Sequence, residues 1–157
     1  MLVFLLAGCF NPFAPELDNN LGSDGSLISD QKNIEGVFQN LQYAYTFKDT
    51  SIYGGLLDNG FSFIYRDYNL GVDVSWGRDE EMKVTHGLFE NSQRLDLVWN
   101  NIVATTSDST NIVRSFNLTI TFNPTDIVFV DGRINLSLIK NPAGRWMITR
   151  WVDESNF

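Results

Sequence analysis

The chain has 157 residues, of which 43% are hydrophobic and 13% aromatic, enough to bury one domain core and not comfortably two. Its formal net charge is −8. The acidic residues are scattered, which excludes the basic patch that nucleic acid requires and disfavours attachment to anionic lipid by charge alone. One cysteine, Cys9, and one histidine, His86, cannot build an internal disulfide or a Cys/His-rich metal site. No calcium-type carboxylate loop, phosphate-binding loop or Gly-x-Ser-x-Gly elbow is present, so no metal or cofactor is implied.

The chain opens MLVFLLAG, residues 1–8, followed by Cys9. A bilayer-spanning helix needs about 20 apolar residues, so this run suits the core of an export signal instead. It also suits a buried N-terminal strand in which the cysteine is coincidental. The string Leu6-Ala7-Gly8-Cys9 resembles the lipobox of bacterial lipoproteins. That resemblance implies cleavage before Cys9, acylation of its thiol and new amino terminus, and membrane lipid as a partner. Several acyl chains, at about 0.8 kcal/mol per buried methylene, make such an anchor stable. Phe10, in place of an aspartate after the cysteine, implies an outer-membrane position facing the periplasm. One departure from the pattern is the lack of Lys or Arg between Met1 and Cys9, where such signals normally begin. From Phe10 to Ile28, Pro, Gly, Asn, Asp and Ser dominate without periodicity, the composition of a tether. Residues 29–157 remain for the folded domain.

Ser29 and Asp30 are candidate caps for a first helix, in which Ile34, Val37, Phe38, Leu41 and Tyr45 form one apolar stripe. Asp49 predicts the cap of a second, shorter helix carrying Ile52, Tyr53, Leu56 and Leu57. Asn59-Gly60 reads as a turn, and Phe61, Phe63 and Tyr65 then alternate as in a strand. A third helix is expected from Ser75 to Asn91. Asp79, Glu80 and Glu81 fall in its first turn, and Met82, His86 and Phe89 share a face. Four long strands follow, at 95–106, 111–122, 127–140 and 145–153, separated by Asn-, Asp-, Ser- and Pro-rich turns. Ile112, Arg114, Phe116, Leu118, Ile120 and Phe122 share one parity, as expected of an antiparallel strand with one buried face. Helices first and strands after is an α+β signature.

This order, the opening IEGVFQNLQYAYTFKDTSIYGGLLDNGFSFIY and the closing GRWMITRWVDE resemble the nuclear transport factor 2-like (cystatin-like) superfamily over about residues 31–153. The resemblance implies N-terminal helices packed on a curved antiparallel sheet. Together they form a cone with a pocket at its mouth, and many members pair as homodimers through the sheet. Enzymes of the superfamily place an Asp or His in the cone as a general base, with Tyr or Asp donors.

Candidates for that role are His86, Asp49, Tyr53, Tyr65 and Asp96. His86 leads them, because it shares a face with Met82 and Phe89 and could titrate near neutrality if half-buried. Asp49 reads better as a cap and Asp96 as an outward strand residue. Candidate pocket-lining residues are Tyr53, Tyr65, Trp76, Met82, Phe89, Trp99, Trp146 and Trp151, since aromatic side chains either fill a core or line an apolar pocket. The expected function is a membrane-tethered, non-catalytic domain that binds a small apolar ligand or another chain. The alternative is a pocket isomerase or dehydratase with His86 as base.

Overall fold

Apolar side chains at three- and four-residue spacing must share one face of a helix, and alternating ones one face of a strand. The computed structural model, which describes residues 27–156, realises both patterns. Cys9, the leader and all but the end of the tether lie outside these residues. The elements are α1 (Ile34–Phe47), α2 (Thr50–Leu56), β1 (Leu57–Asp67), β2 (Val72–Gly77), α3 (Arg78–Asn91), β3 (Arg94–Thr105), β4 (Asn111–Asn123), β5 (Asp126–Lys140) and β6 (Trp146–Asn156). No described helix is long and apolar enough to cross a membrane.

Helix α1 buries Val37, Phe38, Leu41 and Ala44 completely. Its cap is Asn33, whose side chain accepts from the Gly36 amide at 2.7 Å, and not Ser29 or Asp30. Ser29 is instead held against the helix by Asn40, which accepts from its amide and donates to its carbonyl. Helix α2 starts on Asp49, whose carboxylate accepts from the amides of Ser51 and Ile52, both at 2.9 Å.

The six strands form one sheet in the order β2-β1-β6-β5-β4-β3. Strands β3 to β6 form the expected antiparallel meander. The pairing of β1 with β6 is parallel, so the sheet is mixed where an antiparallel one was expected. The physical reason is the connection. Chain entering from α2 reaches the free edge of β6 in the same direction as β6, and β2 then returns antiparallel to make the new edge. Asn59-Gly60 lies within β1 at a register shift, with the Gly60 amide bonded to Asp58 at 2.8 Å, and not at a turn between elements. Register shifts also interrupt β3–β4, β4–β5 and β5–β6. Such irregularities bend strands and let the sheet curve around the helices. At Gly132 an added Cβ would sit 2.4 Å from Ser155 Cα, so only glycine allows β6 to approach β5 there.

The expected strand parity holds on β4, where Ile112, Phe116, Leu118 and Ile120 are buried. Arg114 shares their face but carries its guanidinium over the Phe38 ring, 4.6 Å from its centroid, and bonds Glu35 at 2.9 Å. The core thus runs along one face of the sheet under α1 and α3. Replacing Phe38 with alanine should cost about 3–5 kcal/mol of stability. Phe47→Ala, on the same helix but 60% exposed, should stay within about 0.5 kcal/mol of the parent. Urea unfolding monitored by tryptophan fluorescence measures both.

Candidate functional site

Cross-strand register decides which side chains meet. Trp76 of β2 is opposite Phe63 of β1, and Phe63 is opposite Trp151 of β6. Two residues further along the same face, Tyr65 is opposite Asp153, and Asp153 is opposite Ile134 of β5. The period of two therefore places an aromatic rung beside a rung with a carboxylate, both facing inward. Phe63 and Trp76 stack with centroids 4.8 Å apart and ring planes 15° apart, and Trp151 lies 6.0 Å from Phe63.

These rungs form one wall of a cavity of about 630 Å³ between α3 and the concave face of the sheet. Leu97, Trp99, Phe116, Leu118, Ile120, Val130 and Ile134 continue the wall across β3, β4 and β5, and Tyr45, Thr85 and Leu88 close it from the helices. Exposed Arg66, Tyr68, Asn69 and Val84 mark its opening. The volume is that of a small-molecule site, and the wall is mostly apolar.

Polar chemistry in the cavity is concentrated on Glu81. Its side chain is buried, and three donors converge on the carboxylate. The Tyr53 hydroxyl donates to Oε1 at 2.6 Å, the Thr85 hydroxyl donates to Oε1 at 3.1 Å, and Trp76 Nε1 donates to Oε2 at 2.6 Å. Burial pushes the Tyr53 phenol well above its ordinary pKa, and the neighbouring Tyr45 and Glu81 push it further. Tyr45 is also raised by burial first, then by the charges of Glu81 and Asp153. Asp153 accepts from the Ser155 amide at 3.1 Å and hydroxyl at 2.8 Å. Burial still raises its pKa against those two bonds, with Glu81 and Glu154 adding repulsion. Both tyrosines stay protonated, and Asp153 holds its proton to higher pH than a free aspartate does. The Trp151 indole N–H is buried with no acceptor among the described residues. No group of three metal-ligating side chains occurs among them either.

The structure brings Tyr65, Trp76, Trp99 and Trp151 together on the cavity wall. It places the other sequence candidates elsewhere. Tyr53 is fully buried behind the wall and reaches the site only through its bond to Glu81. Phe89 is core, 5.4 Å from Tyr45 and 6.3 Å from Tyr53 by ring centroids. Met82 packs on the core beside Gly54. Trp146 is remote, held by Gln31 at its backbone and covered by Lys140 at 4.9 Å.

His86 is exposed and not on the cavity wall. The inward face of α3 carries Glu81, Thr85 and Leu88, and His86 is one step of about 100° beyond Thr85, turned to solvent. The expected third helix also starts later, since Ser75, Trp76 and Gly77 belong to β2, a strand the sequence reading left out. Asp49 is a cap, and Asp96 bonds Arg94 at the surface. The residues missed are Glu81, Asp153 and Tyr45. Their signals were present: Glu81, Thr85 and Leu88 share helical spacing, and Asp153 shares strand parity with Trp151.

No family model matches the chain, and no curated protein matches it by sequence. Solved structures match by shape. The Kfla4162 protein from Kribbella flavida superposes with a TM-score of 0.67 at 10% identity, over 82% of this chain and 91% of that one. A scytalone dehydratase candidate from Novosphingobium aromaticivorans gives 0.67 at 14% identity, over 79% and 82%. An NTF2-like protein of unknown function from an Exiguobacterium species gives 0.57 at 12% identity, over 76% and 98%. With three helices on a curved, mixed six-stranded sheet, the chain has the nuclear transport factor 2-like α+β fold.

Proposed function

We propose that the domain is a non-catalytic receptor for one small, largely apolar molecule, and that the chain is a lipoprotein held at a bacterial envelope membrane through Cys9. The observation that carries the first part is the cavity of about 630 Å³, walled by aromatic and aliphatic side chains with polar groups gathered around Glu81 and Asp153. A general base needs a free lone pair within reach of substrate. Glu81 is buried with three of its four acceptor positions filled, which favours a binding site over a reaction centre. The second part rests on the sequence, where the sole thiol follows Leu6-Ala7-Gly8.

A proton-transfer reading is favoured by one observation, the raised pKa of Asp153 on the cavity wall. That some proteins of this shape are assigned as dehydratases is consistent with it. In that reading Asp153 takes the role expected of His86.

Three outcomes check these statements. The neutral fluorophore N-phenyl-1-naphthylamine should bind with saturable one-to-one emission gain. Leu118→Trp, which fills the cavity, should abolish the gain while leaving the circular dichroism spectrum intact. Lack of saturable binding to the parent protein sinks the receptor reading.

The second outcome concerns Asp153. Its pKa is raised by folding, so the folded state binds the proton more tightly than the unfolded state. Stability is therefore lost as pH rises from the ordinary carboxylate range through the folded-state pKa. Asp153→Asn escapes that loss. Its stability relative to the parent should increase as pH rises above the ordinary carboxylate range in paired urea titrations.

Third, Cys9→Ser should shift the protein from the membrane to the soluble fraction of native cells. Unchanged fractionation rejects the anchor.

A further inference from the structure

The cavity wall carries three carboxylates, Asp67, Glu81 and Asp153, and one cation, Arg66. Glu81 is 4% exposed. Six ion pairs form among the described residues, and none of these three carboxylates takes part in one. The one basic side chain on the wall, Arg66, is at the opening and is bound by Asp73 at 2.9 Å. Arg114 is not on the wall and is bound by Glu35. Buried carboxylates are normally matched by a cation. The three hydrogen-bond donors to Glu81 are neutral, and Arg78, one helical turn before it, bonds the Gly54 carbonyl at 2.9 Å.

The adjoining wall is aromatic. Trp76, bonded through Nε1 to Glu81, stacks on Phe63, and Tyr65 lies 5.4 Å from the Trp76 ring. Ring faces are electronegative and attract ammonium groups, more strongly where water is excluded. Carboxylates and ring faces thus favour the same sign of ligand charge.

We propose that the cavity's ligand is a lipophilic organic ammonium, primary to quaternary, whose charge sits against the Trp76 ring and the carboxylates of Glu81 and Asp153. The proposal rests on the receptor reading and narrows it to one chemical class.

Matched probes test it by calorimetry on the full folded domain: 2-(1-naphthyloxy)ethylamine, the alcohol 2-(1-naphthyloxy)ethanol and the anion 1-naphthyloxyacetate. They share the ring system and the ether oxygen and differ in charge. The amine should bind roughly tenfold more tightly than the alcohol, with the anion weakest. In Glu81→Gln and in Asp153→Asn the amine's advantage should shrink to about threefold or less. Asp153→Asn removes a charge without touching the three-donor cluster, so it keeps the test valid if Glu81→Gln fails to fold. Equal binding of amine and alcohol, or an advantage that survives in Asp153→Asn, overturns the charge assignment while leaving the receptor reading intact. Failure of every probe, together with failure of N-phenyl-1-naphthylamine, removes the receptor reading itself.

Discussion

A carboxylate taken out of water must be saturated with donors, and that constraint at Glu81 organises this half of the molecule. The three donors come from α2, β2 and α3 itself, through Tyr53, Trp76 and Thr85. One side chain therefore ties the second helix, the edge hairpin and the third helix to a single point. If Glu81 moved, Tyr53 and Trp76 would lose their partners, and the aromatic rung that Trp76 shares with Phe63 and Trp151 would lose its anchor. Polar networks of this kind are stable only when every member is satisfied.

A cavity of this size runs against the close packing of protein interiors, where lost contacts destabilise the fold. The structure offsets that loss by separating two jobs. Phe38, Leu41, Leu56, Leu95, Ile112, Leu136 and Ile148 pack without appreciable exposure where α1 and α2 meet the sheet. The hollow lies between α3, Tyr45 of α1 and the concave face of the sheet. There the wall is built from rings that hold one another, Phe63 with Trp76 and Trp151, and Trp99 with Phe38 and Phe116. Trp99 is further pinned by its indole N–H to the Phe38 carbonyl at 2.8 Å. Rings fixed from behind can border a void without collapsing into it.

Local periodicity carried most of the fold into view. The α1 stripe, the Asp49 cap and the four late strands all follow from patterns of two or 3.6 residues, and each is found within a few residues of its expected position. The failures have a common physical cause. Strand β2 is short and sits at the sheet edge, half exposed, so Val72, Val74 and Trp76 alternate too briefly against a polar background to stand out. The parallel β1–β6 pairing is a long-range choice that no local pattern encodes. His86 stands out by residue type, but helix phase relative to Leu88 selects Glu81 and Thr85 and places the histidine outside. Glu81 was read as a helix-dipole residue, since acidic residues in a first turn are usually solvent-exposed. Only the tertiary approach of Tyr53 and Trp76 turns the third of three adjacent acids into a buried hub.

The structural neighbours share between 10% and 14% of their residues with this chain, yet superpose over most of its length. What persists at that distance is the fold, and it is residue identity at a site, not fold, that sets chemistry. A neighbour's reaction therefore says little about this cavity unless its acids, bases and oxyanion donors recur here, and the best histidine for such a role turns outward. The wall residues of this chain pose their own question: three carboxylates with one cation at the opening, and ring faces beside them. Both features favour the same sign of ligand charge, and that convergence is a stronger guide to the occupant than resemblance of shape.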